Sequence, residues 1–193
     1  MSRPLSPRLL CLCLSCLWLL STAAVDARAD RPFDYQMWSF FSNEGMYTYL
    51  GAGVALPLVL DGRNGRNHAL RSADALGASV LLAEGLKQVI TERWPNGRLQ
   101  RSFPSAHSAA AFSVATVESA LHPRQSALWY TGATLIAVSR FAIHVHTVAD
   151  VIAGSTLGYG IARLEISSRR GLLLFPLIQP DKHAAGLAFS AGF

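Results

Sequence analysis

At 193 residues, with 51% hydrophobic and 15% charged residues, the chain can bury one domain core and lies between a soluble helical protein and a compact membrane bundle. The net charge of +5 would suit a nucleic-acid partner. The basic residues, however, are scattered over short connectors (Arg63, Arg66, Arg71; Arg93, Arg98, Arg101; Arg124; Arg169, Arg170) with no basic stripe interleaved with aromatics, so nucleic-acid binding is excluded.

Residues 1–29 have the layout of a secretory signal. Arg3 and Arg8 precede an apolar run over residues 9–20, and Ala27-Arg28-Ala29 offers a cleavage site before Asp30, with a cut after Ala27 as the competitor. An uncleaved first membrane helix is the alternative, although the apolar run is shorter than the ~20 residues a span needs. Cys11, Cys13 and Cys16 all fall in this segment. A mature chain would then have no disulfide, no zinc–thiolate site and no thiol nucleophile.

The rest reads as an all-α domain over residues 30–170, a bundle of five to six helices, followed by a tail at 171–193 with short strands or irregular chain. An apolar run covers 47–60, and the Gly/Asn-rich connector 61–71 reads as a loop. Ser72 is expected to cap a helix over 73–91, which Trp94-Pro95-Asn96-Gly97 ends. Further helices are expected over 107–121, 127–145 and 147–166, with His122-Pro123-Arg124 as a tight connection.

Two signals bear on the membrane. The helices carry Asp74, Glu84, Glu118, Arg140 and Asp150, which argues against simple spans. Arg-bearing connectors at 62–72, 122–125 and 167–170 would all fall on one side, as the positive-inside rule requires, and that ordering favours membrane embedding.

Three segments concentrate polar residues. The first holds Lys87 and Arg93; a lysine near a helix C-terminus complements the dipole and needs no further role. The second is Pro104-Ser105-Ala106-His107, where a Ser105-capped helix start offers free N–H groups to an anion and His107 lies in the first turn. An ordinary capped helix would look the same. The third runs from Ser139-Arg140 to His146 and Asp150. His146 and Asp150, four apart, can pair on one helix face, leaving the second ring nitrogen free as nucleophile or base, while Arg140 offers a fork for phosphate oxygens. A surface ion pair, or a metal site built from His144, His146 and Asp150, are the alternatives.

Together, Lys87, then Pro95, then Pro104-Ser105-x-His107, then Ser139-Arg140-x5-His146-x3-Asp150 resemble the three-part signature of the type-2 phosphatidic-acid phosphatase (PAP2) superfamily, which also includes bacterial acid phosphatases and vanadium haloperoxidases. The third part matches completely. Ala106 stands where glycine is commonest, and Trp94 where the family has arginine, with Arg93, Arg98 or Arg101 as substitutes. The resemblance implies a metal-independent phosphatase without a cofactor. On that mechanism His146 attacks phosphorus, Asp150 orients it and His107 is the general acid. Lys87, Arg93, Ser105, Ala106 and Arg140 hold the phosphate. The expected substrate is a lipid phosphate or diphosphate (undecaprenyl diphosphate, phosphatidate or phosphatidylglycerol phosphate) at the periplasmic face of a bacterial inner membrane. A soluble periplasmic acid phosphatase acting on small phosphate esters, a haloperoxidase and a non-catalytic membrane member with a degraded first motif stay open. The lipid, the oligomeric state and the role of the tail are not legible.

Overall fold

The computed structural model describes residues 32–90, 92–93, 99–100, 102–168, 174–179 and 184–189, with side chains over 32–90 and 102–168. The expected signal segment 1–29 and Trp94, Arg98 and Arg101 lie outside the described residues. The chain divides into two compact units, Met1–Met37 and Trp38–Phe193, and the elements that carry the chemistry all belong to the second.

Six α-helices occur among the described residues: α1 (Phe33–Ser42), α2 (Glu44–Leu60), α3 (Gly65–Val89), α4 (Ala106–Leu121), α5 (Ser126–Ala142) and α6 (Val148–Ser167). Two two-residue strands, β1 (Glu92–Arg93) and β2 (Leu99–Gln100), pair antiparallel after α3. In the tail, β3 (Leu174–Gln179) and β4 (Ala184–Phe189) form an antiparallel hairpin. The all-α expectation with a β-like tail therefore holds.

Helix α4 is the centre. Its sequence AHSAAAFSVATVESAL is dominated by small side chains, so α3, α5 and α6 can all approach its backbone, and nearly every residue from Ala106 to Glu118 is buried. On one side Val114 and Ala115 pack with Met46, Trp129, Ala133 and Ile136. Burying a Val or Ile here contributes about 1.5–3 kcal/mol. On the other side the approach of α6 is closer still. A Cβ on Gly154 would lie 2.2 Å from the Ser105 carbonyl oxygen, and one on Gly158 2.0 Å from that of Ala109. Only glycine fits at these two positions, and their spacing of four places both on one face of α6.

Two boundaries differ from expectation. Ser72 does not cap a helix: α3 begins seven residues earlier, and Ser72 lies buried within it, donating to Glu118 Oε1 at 2.6 Å. The tertiary partner satisfies a hydroxyl that would otherwise favour a helix end. Helix α5 stops at Ala142 rather than 145. The N–H groups of Val145 and His146 both donate to the Arg140 carbonyl, and His144 takes a left-handed φ of 57°, a conformation in which histidine is enriched. Among the described residues no helix is long and apolar enough to cross a membrane.

Candidate active site

Helices α3 and α5 bring their C-terminal ends, and α4 and α6 their N-terminal ends, to one end of the bundle. Cationic side chains from the first pair thus meet helix N-termini from the second, which favours an anion between them.

Ser105 caps α4 as the sequence suggests. It is fully buried, its Oγ accepts from Ser108 N at 3.4 Å and from Ser108 Oγ at 3.1 Å, and its own N–H donates to the Asp150 carbonyl at 3.0 Å. That last bond, with the Gly154 contact, fixes the start of α4 against the first turn of α6. Ala106 and His107 open α4, so the two segments that the sequence separates by more than thirty residues share one frame.

His146 is not on the helix that holds Asp150. It lies in the connector just before the N-cap Thr147. A capping box joins them instead: Asp150 N–H donates to Thr147 Oγ1 at 3.2 Å, and Thr147 N–H donates to Asp150 Oδ2 at 3.0 Å. The same Oδ2 faces His146 Nδ1 at 3.2 Å. Asp150 is completely buried, so one carboxylate both starts the helix and orients the ring. Nδ1 is thereby engaged, and Nε2 is left for chemistry.

Arg140, in the last turn of α5, donates through one terminal nitrogen to Ser42 Oγ, while its buried Nε has no partner among the described residues. Lys87, in the last turn of α3, donates to Glu84 Oε1 at 2.6 Å. Burial is the main force pushing His107 down to about 4, followed by the positive charges of Arg140, His146 and Lys87. Burial likewise holds His146 below the usual imidazole range; Arg140 and Lys87 add to this, and Asp150 opposes it. The charges of Arg140 and Lys87 thus bear on both histidine rings. The remaining predicted phosphate ligand, Arg93, sits in β1 with its backbone opposite Leu99, and its side chain lies outside the described part.

Sequence reasoning missed Ser42, which nothing local marks. It also passed over Thr147 and the Gly154/Gly158 pair, which the capping-box spacing and the four-residue glycine spacing could have flagged. The alternative metal site at His144, His146 and Asp150 is not formed: among the described residues the group with metal-ligand spacing is Asp61, His68 and His122. His144 is exposed.

The family model of the PAP2 superfamily matches residues 72–172, just over half of the chain. The chain belongs to the PAP2 superfamily. The matched region contains every element of the cage: the end of α3, α4, α5 and α6. Among curated proteins it is similar to a lipid A 1-phosphatase of Porphyromonas gingivalis, 30% identical over 98 residues. That alignment takes in 48% of this chain and only 22% of the relative's length. Among solved structures it is similar to Aquifex aeolicus LpxE, with a TM-score of 0.58 at 22% identity over 80% of this chain and 94% of that one, which establishes the shared fold. A transmembrane PAP2-type phosphatidylglycerolphosphate phosphatase from Bacillus subtilis aligns with a TM-score of 0.42 at 22% identity, over 82% and 98% of the two chains.

Proposed function

We propose that this PAP2 member hydrolyses the phosphate ester or diphosphate of a lipid through a phospho-histidine at His146. The observation that carries the proposal is the His146–Asp150 pair: a ring held through Nδ1 by a buried carboxylate, among cations and helix N-termini.

Nε2 of His146 attacks phosphorus, and the bond from phosphorus to the leaving oxygen breaks. Asp150 stabilises the imidazolium-like ring that forms. His107 donates its proton to the leaving oxygen, then accepts one from a water whose oxygen bonds to phosphorus as the phosphorus–Nε2 bond breaks, releasing inorganic phosphate and restoring His146. Burial, and after it the charges of Arg140, His146 and Lys87, hold the proton affinity of His107 down in the empty cage, which by itself opposes the acid role. A phosphate dianion offsets the charge part of that shift, so on this reading His107 takes up its proton together with the substrate. The unpartnered Arg140 Nε and the Ala106–His107 backbone suit the non-bridging oxygens, and Lys87 can exchange its half-exposed Glu84 partner for phosphate. Arg93 is proposed as a further ligand and residues 30–170 as the catalytic domain. Positioning and charge carry most of the rate, and on this reading Lys87, Arg140 and the helix N-termini supply them.

Support for a lipid comes from the rim. Phe141, Val145, Val148 and Ile152, on the turn and helix ends that hold Arg140 and His146, are 49%, 39%, 52% and 60% exposed. A charged cage beside an apolar rim suits a phosphate head on an apolar body presented at a membrane surface. The periplasmic face is the setting that the amino-terminal segment suggests, and lipid A joins undecaprenyl diphosphate, phosphatidate and phosphatidylglycerol phosphate as a candidate because of the relative named above.

The test is phosphate release in detergent from these four lipids and from a water-soluble ester, wild type beside His146→Ala. Release from a lipid by the wild type alone supports the proposal. Release by both proteins removes His146 as nucleophile, and release only from the soluble ester removes the lipid.

A further inference from the structure

At the opposite end of the bundle three helix ends converge on a second cluster. Asp61 caps the C-terminus of α2, His68 lies in the first turn of α3, and His122 caps the C-terminus of α4. His68 Nδ1 faces Asp61 Oδ2 at 2.6 Å, and His122 Nε2 faces Asp61 Oδ1 at 3.0 Å and Oδ2 at 3.1 Å. One nitrogen from each ring and one carboxylate oxygen lie within 4.8 Å of one another. Ligands about 2.0–2.2 Å from a tetrahedral zinc ion stand roughly 3.3–3.6 Å apart, so small side-chain rotations would admit the ion.

Two further observations point to a ligand rather than to a plain ion-pair cluster. His122 turns its other nitrogen, Nδ1, to Glu118 Oε2 at 3.1 Å, and Ser72 donates to Glu118 Oε1 at 2.6 Å. Glu118 is 1% exposed. A buried carboxylate that holds one nitrogen of a ring whose other nitrogen faces the candidate ligand Asp61 is the kind of outer shell that metal-binding histidines have. In addition, Trp129, 6% exposed and with an indole N–H that has no partner, lines a cavity of about 50 Å³ together with Asp61, Glu118 and His122. That space, otherwise lined by Leu56, Pro57, Leu60 and Gln125, is large enough for one water molecule beside Asp61 and His122.

We propose that Asp61, His68 and His122 bind a divalent zinc ion that clamps the ends of α2, α3 and α4. The site is structural. His68 and Lys87 mark the two ends of α3, roughly 28 Å apart at the helical rise, so the ion is remote from the phosphate cage. The proposal does not depend on the phosphatase reading.

Full-length protein stripped with chelator and dialysed is titrated with Zn²⁺ by calorimetry, and with Co²⁺ followed by visible absorption. One equivalent of Zn²⁺ is expected, with a higher unfolding temperature on binding and the intense visible bands of tetrahedral Co²⁺. His122→Gln and Asp61→Asn should lose the Co²⁺ bands, and Glu118→Gln should weaken zinc binding about 10–100-fold. His144→Asn should bind as the wild type does. The site is refuted if the wild type takes up no metal, or if the His68→Gln/His122→Gln double variant binds as tightly as the wild type. Because the wild-type titration alone can refute the site, a variant that fails to fold does not rescue it.

Discussion

The two ends of this bundle hold the same side-chain types in opposite surroundings. At one end His107 and His146 sit among Lys87, Arg140 and two helix N-termini, and burial in that company drives both rings toward the neutral form. At the other end His68, in the first turn of α3, and His122, at the C-terminus of α4, sit among Asp61 and Glu118. There a hydrogen bond from His68 is the main influence holding Asp61 below the usual carboxylate range, and burial pushes Glu118 up. Histidine alone therefore predicts nothing. On the readings proposed above, the first surroundings suit an anion, and the second, with Asp61 and Glu118 facing the rings, suit a cation. Helix direction supplies part of that difference, because α4 contributes its start to one end and its C-cap to the other.

The largest effect that could break this comparison is His146→Ala. It should lower turnover by at least about 10⁴-fold, read as phosphate release, with circular dichroism unchanged. His107→Gln should cost about 10²–10⁴-fold, with single-turnover kinetics showing slower cleavage. Gly158→Val tests the frame beneath the cage: the added side chain meets the Ala109 carbonyl and should cost at least about 1–3 kcal/mol in urea unfolding.

A subtler test is the pH dependence of stability. The proton affinity of His107 in the folded chain, about 4, is below its ordinary 6.5. Between those values the unfolded chain binds more protons, so stability should decline as pH falls from about 6.5 and level off near 4. The loss from this group has a ceiling of about 3 kcal/mol. In His107→Gln the decline should be shallower, as measured by unfolding midpoints across that window. The smallest catalytic effect belongs to the far end: Asp61→Asn should leave turnover at 25 °C within about 2-fold of wild type while lowering the unfolding temperature. A large loss of turnover in a folded Asp61→Asn protein would mean that the two ends are coupled.

Much of the cage was legible because its residues are local groups with fixed spacing. The Ser105 cap and His107 in the next turn follow from one short segment, and the helical order of the domain from its apolar periodicity. The link between His146 and Asp150 was legible as a pairing but not as a geometry. A shared helix face was expected, whereas a capping box through Thr147 delivers the contact. Ser72 was misread because its partner, Glu118, is 46 residues away and invisible to local rules. The far cluster was missed for the same reason: Asp61, His68 and His122 look like polar connector residues until three helix ends are brought together.

By itself the sequence determined the family and the helical class and named the residues proposed for the cage, because motif spacing and hydrophobic period are properties of neighbouring positions. Only the tertiary structure decided how Asp150 reaches His146, that Asp61 and Glu118 both face His122, and how closely α6 lies on α4. It also decided that Asp61, His68 and His122 come together. Those outcomes depend on helix direction and backbone approach across long separations, where a missing Cβ at Gly154 or Gly158 counts for more than any local preference.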